Sequence, residues 1–341
     1  MLQVENQTPF TPGLFVLPDA DGVDTAFLLM KATFEVESGL VRVAKEQAKL
    51  VQADEYWGKP GESSVKYPSE VHLSKPTTDI VLVGSAHSPE PGATAFDVSL
   101  SVGSIKKVLR IFGDRVWRRG MLGLSPSAPA AVDTMVPLVY ERAFGGVHIQ
   151  PDGTALSEPR NPLGRGFRGK RKSSELEGQP LPNIEDPEQL LKSPGDQPAP
   201  AGFGCIAPSW QPRLGYAGTY DEAWQKTRAP YLAKDFDSRF LQVAHPGLIC
   251  PSYLRGGEPV EMVNVSAVRV QRFVLPTVEL DVQVCVAGEE EPVQMNLETL
   301  LLEPDQGRIC IVWRGARMCD KKTLQIESVR FEVKSLKGIA D

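Results

Sequence analysis

Residues 25–37 read TAFLLMKATFEVE, and the fold class turns on how they alternate. Leu28, Met30, Ala32, Phe34 and Val36 fall on one side of an extended chain and are apolar throughout. Phe27, Leu29, Lys31, Thr33 and Glu35 fall on the other. A period of two with one wholly apolar row predicts a half-buried β-strand. Ser38-Gly39 then predicts a tight turn into LVRVA, making a hairpin. Three more strands are expected downstream, in TDIVLVGSAH (78–87), TAFDVSLSVG (94–103) and KKVLRIFGDRVW (106–117). Gly103-Ser104 supplies a second hairpin turn. Residues 1–125 therefore read as an antiparallel β-lobe.

The same texture returns over 257–341. EPVEMVNVS, AVRVQRFVLP, TVELDVQVCVAG, EPVQMNLETLLLEP, GRICIVWRGARM and TLQIESVRFEVK are alternating or β-branched. The Gly288 to Glu291 run, Pro304 to Gly307 and Lys321-Lys322 mark turns between them. Strands at this spacing predict a second β-sandwich or open-barrel lobe. The expected fold is mainly β, two such lobes joined by a middle segment.

That middle segment, 126–256, has a different character. It holds PLVYERAFGGVH, NPLGRGFRGKR, PLPNIEDPEQLL, PAPAGFGCIAPSWQPR and KDFDSRF, rich in Gly, Pro and rings without a helical or strand period. Two short helices are expected. One is DPEQLLK (186–192), with Asp186 as N-cap and Pro187 at the first position. The other is TYDEAWQKTR (219–228), with Thr219 and Glu222 as a capping box. A loop of this length is functional or disordered, and its aromatics speak against disorder.

The composition bounds the function. The 341 residues carry 37 Lys and Arg against 43 Asp and Glu, a net charge of −6. That balance argues against a general nucleic-acid partner, which calls for a basic excess. The sequence has no uninterrupted apolar run of ~18 residues, so no membrane helix is expected. Five cysteines without a CxxC pair fit a reducing compartment. The N-terminal MLQVENQTPFTPG lacks the basic-then-apolar pattern of a secretory signal. A cytoplasmic location is expected.

No strong catalytic constellation stands out. GRGFRGKRK (164–172) nearly meets the spacing of a phosphate loop, but Arg171 replaces the required Ser or Thr and no apolar strand leads into it. It reads as a solvated basic loop facing Glu175, Glu177, Glu185 and Asp186, or as a charged contact with a partner. Cys205 has no base in a recognisable motif and reads as a buried thiol. His245 with Cys250, and Cys310 with Cys319, do not match zinc spacings. Neither a metal nor a cofactor is expected. Asp235 and Asp237 share one face of an extended stretch. They suit acid/base work on a glycosidic bond, or hydrogen bonds to Arg228, Arg239 and loop amides. What does recur is rings beside arginines: Trp210 with Arg213, Tyr216, Tyr220, Trp224 with Arg228, Tyr231, and Phe236 and Phe240 with Arg239. Such residues dominate binding hot spots, and buried they would equally pin the loops as a local core.

The middle segment also resembles a known family. PLVYERAFGG (137–146), NPLGRGF (161–167), LPNIEDP (181–187), PAGFGCIAPSWQPRLGYAGTYDEAW (200–224), DFDSRFLQVA (235–244) and GGEPVEMVNVS (256–266) follow one another in its order. KPTTDIVLVGSAHSP, GDRVW and GRICIVWRG look like it outside that stretch. The resemblance is to domain of unknown function 2169, a bacterial family encoded among type VI secretion genes. It implies a non-catalytic adaptor or chaperone. Its partner would be a secreted effector, a PAAR-type spike tip or the spike trimer, bound before export. The family brings no catalytic residues to carry over. Cys205 stands where the family's pattern has Pro, and HPGLICP is less polar than that pattern. Beside this implied adaptor stand two other expectations. One is a carbohydrate- or peptidoglycan-active enzyme using Asp235 and Asp237. The other is a structural part of the secretion machine.

Overall fold

The computed structural model describes residues 3–121, 123–132 and 135–340. The fold is mainly β, as expected, with only two short α-helices and no closed barrel among the described residues. The strand read from the opening stretch runs Asp24–Glu37 and lies at the centre of a six-stranded sheet. One neighbour is Thr11–Pro18, and Leu40–Val43 pairs with its far end through the Ser38-Gly39 turn. Both turn residues have positive φ, 51° and 82°, the geometry that matches a two-residue hairpin to strand twist.

The other neighbour comes from the far end of the sequence. Arg308–Met318 pairs antiparallel with the central strand from Arg308↔Glu35 to Met318↔Thr25. Asn296–Glu303 follows, and then Asp79–Leu82 in parallel. A five-stranded sheet likewise joins the hairpin Ala95–Val102 and Ile105–Phe112 to Pro259–Val263 and Val270–Val274. In a four-stranded sheet, Gln3–Asn6 lies parallel to Ile326–Lys337, beside Thr277–Val286 and Glu289–Pro292. The six- and four-stranded sheets are thus mixed, the five-stranded one is antiparallel throughout, and all three cross the boundaries at 125 and 257. Their inward residues form one continuous core.

The central strand departs from the half-buried expectation. Phe27, Leu29, Lys31 and Thr33 are as buried as the first row. Phe27, Leu29 and Val312 make a second apolar cluster with Phe15, Leu17, Leu50 and Leu73. Residues 47–75 cover this face: Gln47 brackets the Thr33 backbone, and Lys31 Nζ donates to Lys49 O at 3.0 Å. Two further expectations change. KKVLRIFGDRVW breaks at Gly113, where a β-carbon would overlap Ala130 O, so Trp117 starts a separate short strand. DPEQLLK is a turn rather than a helix. Asp186 pairs with Lys107 at 3.7 Å, and Glu185 and Asp196 accept the amides of Leu191, Lys192 and Ser193.

Covering the central sheet on both faces buries charge. Arg314 donates to Glu298 at 2.7 Å and to the carbonyls of His72 and Glu70, each at 2.8 Å. Glu298 also accepts the Lys75 amide at 2.8 Å. Lys75 Nζ reaches Asp79 at 2.8 Å and Thr299 at 2.9 Å, and Asp79 accepts the Val243 amide at 2.7 Å. Lys31 pairs with Glu70 at 2.8 Å. These six ionic side chains are each at most 13% exposed. Burial raises the Glu298 pKa against the pull of Arg314, so the pair survives because each partner holds the other charged. Removing one partner strands the other. Arg314→Met is therefore expected to cost about 3–5 kcal/mol in urea unfolding, and Arg314→Met with Glu298→Met to recover part of that loss. A single-variant loss below about 1 kcal/mol would contradict the coupling.

Candidate interaction surface

The middle segment is held from inside by the motifs that make it distinctive. Asn161 donates to the carbonyls of Tyr140 and Phe144 at 2.8 and 2.9 Å. Asn183 donates to Phe112 O and Asp114 and accepts from Arg142. GFGCIAP runs through the core: Phe203, Cys205 and Ile206 are buried, and Ile206 N bonds Val243 O at 2.7 Å. Gly202 lies against the Tyr140 ring, leaving no space for a side chain. Burial pushes the Cys205 thiol up to about 12, which keeps it protonated at neutral pH.

The ring and arginine positions separate into two groups. Trp210 is buried edge-on to Tyr140, ring centres 5.6 Å apart. Arg213 donates to Phe240 O at 2.9 Å and Ile206 O at 2.6 Å, and burial lowers its pKa. Both brace the segment from within. Phe236 packs on Phe240 at 5.9 Å. The remaining groups form an outer shelf over residues 214–240. Arg239 stacks over Tyr216 at 4.3 Å while holding Asp237. Tyr220 meets Trp224 edge-to-face at 4.8 Å, and the Trp224 indole donates to Tyr231 O at 2.8 Å. Arg228 donates to the carbonyls of Leu232, Asp21 and Ala20, tying the shelf to the turn at 19–23. The Tyr231 ring lies against Gly22 of that turn.

Tyr220 and Tyr231 are 47% and 40% exposed, and Leu214, which the ring-and-arginine pattern did not single out, is 50% exposed. Its signal was local: it follows an arginine in a segment poor in regular structure. The helix beside them spans Glu222–Thr227 and is capped by Asp221, which accepts the Trp224 amide at 2.9 Å. Thr219 is not the cap. Its hydroxyl donates to Asp235 at 2.8 Å and its amide at 2.9 Å. Those bonds hold the Asp235 carboxyl below the usual range, and Arg239 does the same for Asp237. The two carboxylates thus close the loop locally.

The basic loop also differs from expectation. Three of the four acids expected to face it pair elsewhere, Glu177 with Arg119, Glu185 with Arg115 and Asp186 with Lys107, while Glu175 accepts the backbone amide of Lys172 in the loop itself. Among the described residues, none of Arg165, Arg168, Lys170, Arg171 and Lys172 has an ion-pair partner. No three His, Cys, Asp or Glu side chains among the described residues converge as a metal site. Among the described residues no helix is long and apolar enough to cross a membrane.

A mixed-sheet β-protein with a braced ring-bearing shelf and an unpaired basic loop is the class these features define. The family model for an uncharacterized protein conserved in bacteria, DUF2169, matches residues 21–314, and the chain belongs to that family. No curated protein and no solved structure matches the chain.

The loop that carries Asp79's amide partner also carries a titratable brace. His245 Nδ1 accepts the Gly247 amide at 3.0 Å. Burial first, and Lys107 second, lower its pKa from 6.5 to about 4. Between those values the unfolded chain binds a proton that the folded chain refuses, so stability is present above pH 6.5 and is lost as pH falls toward 4. His245→Asn keeps an acceptor for Gly247 without titrating. Its acid limb in thermal melts is expected to be shallower than that of the native chain, by roughly 1–2 kcal/mol at about pH 5. Parallel limbs for the two proteins would contradict it.

Proposed function

We propose that the chain is a non-catalytic adaptor or chaperone. It holds a type VI secretion effector, or the PAAR-type tip of its spike, in the cytoplasm and hands it to the spike. The observation that carries the binding part is the outer shelf. Tyr220, Tyr231 and Leu214 stand exposed on a backbone fixed by Arg228, Asp235 and Asp237. Rings presented on a rigid frame lose little entropy when they are covered. A few such anchors can organise an interface of about 1,200–2,000 Å². The secretion part rests on the order of the sequence motifs from 137 to 266.

The enzyme reading draws no comparable support. The carboxylates of Asp235 and Asp237 are committed to Thr219 and Arg239. A stable, stoichiometric place in an isolated sheath or baseplate is what would favour the structural-component reading.

The test is capture of cargo by the tagged chain from its bacterial host, with the effector identified by mass spectrometry. Tyr220→Ala and Leu214→Ala together are expected to weaken capture about ten- to thirty-fold while leaving thermal melting unchanged, because both side chains are exposed. Undiminished capture by the folded double variant would remove the shelf from the interface. Recovery of no effector and no spike protein would remove the adaptor reading itself.

A further inference from the structure

The five cations of residues 165–172 lie in a chain with a net charge of −6, and among the described residues no acid neutralises them. An unpaired basic cluster in an acidic protein is a local exception that its own neighbours could have satisfied. Glu177, Glu185 and Asp186 are close in sequence and instead pair with Arg119, Arg115 and Lys107.

The loop is seated, not loose. Arg165–Gly166 pairs in parallel with Phe144–Gly145, through Arg165 N to Ala143 O at 2.9 Å and Phe167 N to Gly145 O at 3.0 Å. Below it lies a separate apolar cluster of Trp117, Phe144, Leu176, Leu181 and Leu191, with Phe167 packed against it. Arg171 spends two donors on the carbonyls of Phe167 and Val147, at 2.9 and 2.8 Å, and Arg168 donates to Arg171 O at 3.1 Å. These bonds aim the guanidinium groups while leaving further N–H donors on each. Arg165 is half-buried, and its guanidinium has no hydrogen-bond or ion-pair partner among the described residues. Its charge instead adds to the desolvation that lowers the Arg142 pKa.

Two recesses flank the loop and share Phe167. One, of about 190 Å³, is lined by Arg165 and Arg171 over Trp117 and Leu176, with walls of glycine backbone. The other, of about 430 Å³, is lined by Arg168 and Lys170 with Leu156 and Pro194. Asp196 also lines the second, but its carboxylate is held by the amides of Lys192 and Ser193 and by the Ser193 hydroxyl.

We propose that this double recess binds an acidic segment of a partner polypeptide. Carboxylates supply the missing counterions to Arg165 and Arg171 on one side of Phe167 and to Arg168 and Lys170 on the other. Apolar side chains between them cover Phe167 and the exposed wall. The alternation of cationic and apolar lining fits an extended acidic peptide better than a compact anion. The negative net charge disfavours a long polyanion such as nucleic acid. The proposal deepens the adaptor reading by giving the chain a second contact, remote in sequence from the shelf. It can be tested with no cargo present, so the two can fail separately.

The probe is a fluorescein-labelled peptide of about twelve residues alternating Glu and Leu, titrated with the full chain at about 50 mM salt and read by anisotropy. Saturable binding is expected, weakening at least tenfold by about 300 mM salt. Arg165→Gln with Lys170→Gln is expected to weaken it roughly ten- to a hundredfold, at unchanged melting temperature, since neither side chain makes a hydrogen bond in the fold. The same peptide with Gln for Glu is expected not to bind. Absence of binding by the native chain, equal binding by the folded double variant, or tighter binding of inorganic phosphate or of a single-stranded DNA oligonucleotide than of the Glu peptide would each overturn the proposal. If peptide binding fails while effector capture persists, the adaptor reading stands without this site.

Discussion

The row of buried ion pairs across the central sheet is the constraint on which the architecture depends. Lys31 comes from the first long strand, Glu70 and Lys75 from the covering segment, Asp79 from the parallel edge strand, and Glu298 and Arg314 from the last third of the chain. Asp79 also fixes Val243 in the middle segment. A buried ion costs several kcal/mol to desolvate and is tolerated only when its partner is in place. No single stretch of sequence can satisfy this set. The sheet that assembles it must bring residues 31 and 314 together. A one-residue slip would turn Arg314 to the opposite face and leave both Glu298 and the carbonyls of 70 and 72 unmet. The pairs therefore add little net stability while penalising wrong registers heavily.

That constraint also explains which parts of the fold could be read in advance. Alternation within Asp24–Glu37 and Ala95–Val102, and the Ser38-Gly39 and Gly103-Ser104 turns, are local properties, and each appears where the sequence puts it. The second buried face of the central strand does not follow from alternation. Lys31 and Thr33 look like solvent-facing residues until Glu70, Gln47 and Lys49 arrive from a segment with almost no regular structure. The pairing of residues 25–35 with 308–318 was likewise invisible, because texture alone does not say which strands are neighbours. DPEQLLK failed as a helix for a similar reason. Its N-cap candidate, Asp186, does accept the Glu188 amide, but Glu185 and Asp196 capture the later amides of Leu191, Lys192 and Ser193 and the turn goes no further.

The candidate surfaces were legible in composition and not in direction. Rings and arginines close in sequence do mark the segment that carries the shelf, but whether a ring points inward depends on what lies across from it. Trp210 faces Tyr140, seventy positions earlier by count of the chain, and Arg213 finds two carbonyls; both became braces. Tyr220 meets Trp224 four positions on and stays outside. The basic loop shows the converse. Its neighbouring acids made it look self-neutralised, yet Glu177, Glu185 and Asp186 pair with Arg119, Arg115 and Lys107 outside it.

The two surfaces differ in what supports them, and the difference bears on how a partner could be gripped. The shelf hangs from the turn at 19–23 through Arg228 and offers rings. The basic loop rests on its own apolar cluster and offers oriented cations. Ring burial is short-ranged and insensitive to salt, whereas cations on an otherwise acidic protein act over a Debye length of about 8 Å at physiological salt. The loop is therefore suited to orienting an acidic partner during approach, and the shelf to holding a partner once surfaces touch. The backbone of each surface is already hydrogen-bonded to its surroundings, which lowers what association must order. A grip divided between a salt-sensitive and a salt-insensitive patch can be loosened by weakening one of them, which is the property the proposed adaptor role requires.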